Sequence, residues 1–281
     1  MEEIGRSHTG LTVADLEFLV STAAPGSGDR ARLKQILEAD EDFRNAFIDD
    51  ENTIRKVISD KEAFLKISPR LYFEILLRKV RKELGAASHT LERGGTHKVV
   101  VFDAGKVFDL LSRTPVLYYL ADMLSSFTKV ESYSFSYRVG ERVWKKIRFH
   151  DADLDSLIRC MESAGEEYRF HFYRRIADIC LFLLGVFPEY VRASSRYPFS
   201  GEPRPRFAGR AGWSMEEYEE EGRKFYRLAS LHPEAQDREL SEVFGLLHES
   251  FHVARKPLHL IAENYIHCER PAGIPSLCTV S

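Results

Sequence analysis

Two histidines and a glutamate near the C-terminal end of the chain have the types and spacing that zinc chemistry requires. His248 and His252 are four residues apart, and Glu249 follows the first of them directly. Four residues are about one turn of a helix, so on a continuous helix both imidazoles reach the same metal ion. A glutamate in that second position acts as general base towards a metal-bound water. The sequence therefore contains a candidate catalytic zinc site, with His248 and His252 as ligands and Glu249 as the base.

The motif matches HExxH, the signature of a large class of zinc metallopeptidases, and the resemblance implies a third ligand further along the chain. Glu263 is the candidate, although it follows His252 by only 11 residues, which is short for the class that uses a glutamate. The other interpretation is an ordinary amphipathic helix, in which Glu249 points away from the core into solvent. The apolar stripe of that helix consists of Leu240, Val243, Phe244, Leu247, Phe251 and Ala254.

A second candidate site is a basic strip on a predicted β-hairpin. Apolar residues at 133, 135, 137 and 139 alternate with polar ones, and Gly140-Glu141 provides a two-residue turn before the alternation resumes. The opposite face carries four cations and one aromatic residue, namely Arg138, Arg142, Trp144, Lys146 and Arg148. These side chains are suited to contact phosphate or a partner protein. The alternative is a solvated face whose charges protect the edge of the hairpin from aggregation.

Helical patterns dominate the elements that must position these residues. We expect a mainly α, bundle-like protein with a small winged-helix-like β-hairpin element in the centre. The predicted regions are an N-terminal helical region (1–67), a winged-helix-like region (68–150), core helices (151–191), a Pro/Gly/Arg-rich loop or linker (192–213) and a C-terminal helical region (214–281).

The clearest single helix begins at Ser68-Pro69 and ends at Gly85, because serine caps a helix, proline fits its first position and glycine ends it. Its predicted core stripe is Phe73, Leu76, Leu77, Val80 and Leu84. The basic residues Arg78, Lys79, Arg81 and Lys82 lie outside that stripe. They are typical of a solvated face, with a binding role as the alternative.

The order helix, strand, helix, helix, strand, strand over residues 68–149 resembles the winged-helix fold. The resemblance implies a helix-turn-helix followed by a wing, with the second helix, 115–127, in the DNA major groove. That helix contains no Lys or Arg and carries Asp122, which argues against base recognition. Its apolar residues favour protein contact instead, and they are Leu117, Tyr118, Tyr119 and Met123.

Composition excludes several classes of protein. The 281 residues contain 40 Lys and Arg against 43 Asp and Glu, so the net charge of −3 excludes a uniformly basic nucleic-acid coat. Charge is nevertheless segregated, since residues 216–221 supply five acids in six positions. The start of the chain is acidic, without the apolar region of a signal peptide, and no apolar run approaches the roughly 20 residues of a membrane span. We expect a cytoplasmic protein with no membrane partner.

Three segments resemble bacterial helical proteins of unknown function. They are residues 67–77 (ISPRLYFEILL), 119–127 (YLADMLSSF) and 254–265 (ARKPLHLIAENY). The resemblance implies a bacterial protein but no activity. The leading hypothesis is therefore a non-enzymatic regulatory or adaptor protein that needs no cofactor and binds another protein, with nucleic acid as the second class of partner. The alternative is a zinc-dependent hydrolase that uses the HExxH motif at 248–252.

Overall fold

A computed structural model of the chain describes residues 10–60, 62–87, 90–94, 97–101, 103–128, 132–140, 143–150, 154–196 and 213–266. Helices dominate these residues, which confirms the mainly α prediction. The chain divides into two compact units. Unit 1 runs to Thr128 and also includes a short segment that starts at Glu263, and unit 2 contains Lys129–Ala262.

Unit 1 contains eight helices and one hairpin among its described residues. The helices are α1 (Val13–Ala23), α2 (Arg30–Ala39), α3 (Glu41–Ile48), α4 (Glu51–Ser59), α5 (Ala63–Lys66), α6 (Pro69–Gly85), α7 (Ala104–Ser112) and α8 (Thr114–Ser126). The strands are β1 (Thr90–Gly94) and β2 (His97–Val101).

Short polar side chains cap the N-termini of five of the eight helices of unit 1, namely α1–α4 and α6. Thr12 and Asp15 form a reciprocal capping box at the start of α1, and Asp50 accepts two backbone N–H groups at the start of α4. Asp15 is fully buried, and its second carboxylate oxygen accepts the backbone N–H of Ser68 at 2.6 Å. One carboxylate thus connects the beginning of α1 to the beginning of α6.

The sequence prediction for α6 is confirmed. Ser68 is the N-cap, Pro69 occupies the first turn, and the helix ends at Gly85. All five residues of the predicted core stripe are buried, and α7 and α8 pack against the helix. The proposed protein-contact residues of α8 are mostly part of this core, because Leu117, Tyr119 and Met123 are buried.

The structure does not support the winged-helix prediction. The first strand of the predicted order corresponds to β2, which pairs antiparallel with β1 in a separate two-stranded sheet. The predicted wing consists of β3 (Ser132–Gly140) and β4 (Val143–His150), which pair only with each other among the described strands. A wing belongs to the same domain as its helices, whereas here the boundary at Thr128 assigns α6–α8 to unit 1 and the β3–β4 hairpin to unit 2.

The helices of unit 2 surround one central, almost completely buried helix. They are α9 (Leu154–Ser163), a short 3-10 turn (Glu166–Tyr168), α10 (Arg169–Val186), α11 (Pro188–Arg196), α12 (Met215–Leu231), α13 (Pro233–Asp237), α14 (Ser241–Glu249) and α15 (Phe251–Asn264). The central helix is α10, as its apolar sequence predicts, and it packs against α9, α11 and α12.

Two boundaries in unit 2 bear on the predicted regions. Helix α11 extends to Arg196, so the predicted loop 192–213 begins within a helix, and its residues 197–212 lie outside the described part of the chain. The predicted C-terminal helical region (214–281) corresponds to α12–α15 as far as Asn264, and its residues 267–281 lie outside the described part of the chain. Within the described ranges, no helix has both the length and the apolar character needed to cross a bilayer.

Candidate functional site

The HExxH motif lies across the junction of two helices. Helix α14 ends at Glu249, Ser250 is its C-cap with φ −109° and ψ 30°, and α15 begins at Phe251. His248 is therefore in the last turn of one helix, and His252 is in the first turn of the next. The sequence argument for a shared metal ion assumed one continuous helix, because only a regular turn aligns residues four apart. That assumption does not hold here.

The remaining residues of the proposed zinc site are not gathered around His248. Glu249 and His252 are exposed, and the exposure of Glu249 agrees with its predicted position opposite the core. Glu263, the proposed third ligand, is exposed and follows His252 on α15 by 11 residues, which is about 16 Å along a helix. Among the described residues, no group of three or more His, Cys, Asp or Glu side chains is placed to hold a metal ion.

His248 has a different set of contacts, which connect α14 to α12. Its Nδ1 lies 2.9 Å from the backbone oxygen of Arg223, and the Nε of Arg223 donates to the backbone oxygen of His248 at 3.1 Å. A carbonyl oxygen can only accept a hydrogen bond, so Nδ1 of His248 carries the proton and donates. The reciprocal pair fixes the orientation of the imidazole against α12.

His248 also lines a groove of about 900 Å³ along the outer side of α12. Eight of the nine lining residues belong to α12, and they are Glu216, Glu219, Glu220, Arg223, Lys224, Arg227, Leu228 and Leu231. The charges are ordered along the helix, with acids in its N-terminal half and bases in its C-terminal half. The site is therefore an open groove lined mainly by charged side chains, with one exposed apolar side chain, Leu231, at its far end.

The opposite side of α12 determines which residues face this groove. Tyr218, Phe225 and Tyr226 are buried, and the Tyr226 hydroxyl donates to the buried Asp178 of α10 at 2.8 Å. Gly222 allows the closest approach, because a Cβ there would lie 2.5 Å from the ring of Phe251. With that side fixed, the helical period places Glu216, Glu220, Arg223 and Arg227 in one row on the outer side. All four are exposed, and we call them the charged stripe.

Few of these charges are neutralised within the molecule. No ion pair with another described residue is formed by Glu216, Glu220 or Arg227. At the edges of the stripe, Lys224 pairs with Glu221 at 2.8 Å and Glu219 pairs with Arg255 at 3.5 Å. Helix α12 therefore presents an acidic and a basic half to the groove, and the centre of each half is open to a partner.

The basic strip on the predicted hairpin can be followed only through its backbone. The register places Arg138 opposite Trp144, Ser136 opposite Lys146 and Ser134 opposite Arg148. Since alternate positions of a strand share a face, the backbone agrees with the predicted strip at these positions. Arg142 lies outside the described residues, so the strip as a binding surface stays a prediction.

The basic cluster of α6 is not a solvated face at Arg78. This side chain is 3% exposed and donates to Glu74 at 2.8 Å, to Asp49 at 2.9 Å and to Asn45 at 2.6 Å. Burial lowers the pKa of Arg78, but the adjacent carboxylates of Glu74 and Asp49 outweigh that effect and raise it overall. The network connects α3 to α6 and is part of the core of unit 1.

Sequence reasoning missed the groove because no motif marks it. The acidic run at 216–221 was visible, but the charged stripe also depends on which residues of α12 are buried. Comparison with family models, with curated proteins and with solved structures gives no match for this chain. The established class is therefore that of a mainly α-helical protein with two compact units.

Proposed function

We propose that this chain is a non-enzymatic adaptor or regulatory protein of a bacterial cytoplasm, and that it binds another protein through the charged stripe of α12. The observation that carries the proposal is the ordered, exposed and largely unpaired charge beside the groove. Ordinary protein surfaces mix both signs of charge, because large fields of one sign favour association. Separated acidic and basic halves are the arrangement that steers a complementary protein and fixes its orientation.

Cross-linking from the stripe tests this proposal in cells that produce the protein. A photoreactive residue replaces Arg227 in one variant and Glu162 in another. Glu162 is the matched control because it is exposed on α9 of the same unit. Discrete cross-linked products are expected from position 227 and not from position 162. If both positions give equal products, or neither gives any, the proposal is wrong.

Nucleic acid is the second class of partner, and the positions of the β3–β4 hairpin support it. A salt titration with random duplex DNA should give a steep loss of affinity, because each phosphate contact releases counterions. The slope should become shallower by about one unit in Arg142→Ala or Lys146→Ala. If no binding occurs at low salt, this part of the proposal fails.

A zinc-dependent hydrolase that uses His248, His252 and Glu249 is the alternative function. One observation favours it, because metal-binding histidines usually donate their other ring nitrogen to a carbonyl group, as His248 does to Arg223. The two-helix arrangement of the motif is the observation against it. Metal analysis of protein purified without a histidine tag decides between them. Stoichiometric zinc that is lost in His248→Ala would establish the alternative.

A further inference from the structure

Helix α12 has an internal charge symmetry that goes beyond the separation of signs. Reading outwards from the bond between Glu221 and Gly222, three of the five acids of the helix have a base at the same distance in the other direction, and the exceptions are Glu217 and Glu221. Glu220 corresponds to Arg223, Glu219 to Lys224 and Glu216 to Arg227. The apolar flanks correspond too, with Met215 matching Leu228.

From this symmetry we infer that the partner of the charged stripe is a second copy of the same chain, docked with its α12 antiparallel to the first. This inference rests on the proposed function, since it specifies the protein that the stripe binds. A two-fold axis perpendicular to both helices, at the centre of the pattern, places the acidic half of each helix opposite the basic half of the other. Such a contact is isologous, which means that both copies use the same surface. Association therefore stops at the dimer and does not continue into a filament.

The contacts of the central row follow from the helical period. Glu216 of one copy faces Arg227 of the other, and Glu220 faces Arg223, so the symmetry produces four ion pairs. Glu219 and Lys224 lie on opposite edges of the row and do not meet across the axis. These two are the side chains that already have partners within the chain. A second copy would therefore engage Arg223 and the three residues that have no ion pair with another described residue, namely Glu216, Glu220 and Arg227.

Two simpler explanations do not account for the pattern. The helix dipole favours acids at the N-terminus and bases at the C-terminus, but its effect is limited to the first and last turns. Glu219, Glu220, Arg223 and Lys224 lie in the middle of the 17-residue helix. Stabilising pairs three or four residues apart could join Glu219 or Glu220 to Arg223, and Glu220 or Glu221 to Lys224. Among the described residues the structure forms one of these pairs, Lys224 with Glu221, and Glu219 pairs with Arg255 of α15 instead. Pairing within the helix therefore leaves Glu216, Glu220 and Arg227 unexplained.

Two charge-exchange variants of the full chain test the inference. The first carries Glu216→Arg and Glu220→Arg, so its stripe is entirely basic; the second carries Arg223→Glu and Arg227→Glu, so its stripe is entirely acidic. Sedimentation velocity at low salt should show that the wild type dimerises with a dissociation constant below about 1 mM. Each variant alone should be monomeric, and an equimolar mixture should form the dimer again. Recovery in the mixture also shows that both variants are folded.

The orientation is tested by oxidation of single cysteines, in a chain with Cys268→Ser and Cys278→Ser. In the antiparallel dimer, residue 220 and its copy are offset along the axis by about 4–5 Å, whereas residue 216 and its copy are offset by about 16 Å. Glu220→Cys should therefore form a disulfide-linked dimer and Glu216→Cys should not, although each removes one negative charge. Equal yields from the two variants would contradict the antiparallel arrangement.

The outcomes separate this inference from the proposed function. The inference is overturned if the wild type is monomeric at every salt concentration and the mixture of the two variants also forms no dimer. If position 227 then cross-links to a different protein in cells, the proposed function stands. If it cross-links to nothing, both are wrong. A product with twice the 32.3 kDa mass of the chain supports both.

Discussion

Gly222 lies on the buried side of α12, and its replacement by alanine tests the packing that orients the charged stripe. The added Cβ would lie 2.5 Å and 2.6 Å from two ring atoms of Phe251, and 2.9 Å from Cβ of Cys180. Phe251 and Cys180 are both completely buried, so neither can move into solvent to relieve the clash. Overpacking of this kind costs about 1–3 kcal/mol, and the absence of free space places Gly222→Ala at the upper end.

A gain in helix propensity opposes that cost. Alanine is more favourable than glycine within a helix by about 1 kcal/mol, so the net destabilisation expected for Gly222→Ala is about 2 kcal/mol. Gly245 of α14 is the matched control, because a Cβ there meets no atom within 4 Å. Gly245→Ala should keep the propensity gain and stabilise the protein by about 0.5–1 kcal/mol.

Urea denaturation followed by circular dichroism measures both variants, with thermal unfolding as a check. The two substitutions should change the free energy of unfolding in opposite directions, with a difference of about 3 kcal/mol between them. If Gly222→Ala were as stable as the wild type or more stable, the described contact of α12 with Phe251 and Cys180 would be wrong. The assignment of the outer side of α12 would then fail with it.

Three further outcomes follow from the buried and charged groups. Arg78→Met should lower the free energy of unfolding, measured by urea denaturation, by about 3–5 kcal/mol, because it leaves the carboxylate of Glu74 buried without its main partner. The double variant Arg78→Met with Glu74→Leu should recover most of that loss. Hydrogen bonds from Lys66 and from a backbone N–H lower the pKa of Asp60 from 3.8 to about 2, so its stabilising effect should be complete above pH 4 and lost as the pH falls towards 2. The difference in melting temperature between wild type and Lys66→Gln should shrink over that range, and a constant difference would contradict the assignment. Burial raises the pKa of the Cys180 thiol, so iodoacetamide should label it only in urea, and labelling in the native protein would show that this core opens.

The sequence predicts the parts of the fold that local signals control. Helix α6 is an example, because serine, proline and glycine mark its ends and its apolar spacing marks its buried side. The N-cap of α12 at Ser214 is another, since Glu217 completes its capping box. These signals act within a few residues, so they do not depend on how the rest of the chain folds.

The sequence does not predict features that depend on distant partners. Arg78 belongs to a basic run, and its burial depends on Asn45 of α3 and on Asp49, the C-cap of that helix, which both accept hydrogen bonds from it. Strand β1 has no strand signal in its own sequence, because its stability comes from pairing with β2. The break at Ser250 is hidden as well, since buried residues on both sides of it keep one apolar stripe in phase. The HExxH prediction assumed a continuous helix at this point.

The central claim is that the charged stripe of α12 is where this protein binds another protein. The most direct measurement is the cross-linking yield from a photoreactive residue at position 227 in cells, compared with position 162 and with the same probe in a chain that also carries Glu220→Arg. We expect a discrete product from position 227 and none from position 162. Glu220→Arg should reduce the yield from position 227 by at least about tenfold, since it turns an attraction in the acidic half of the stripe into a repulsion. Equal yields from all three chains would contradict the claim.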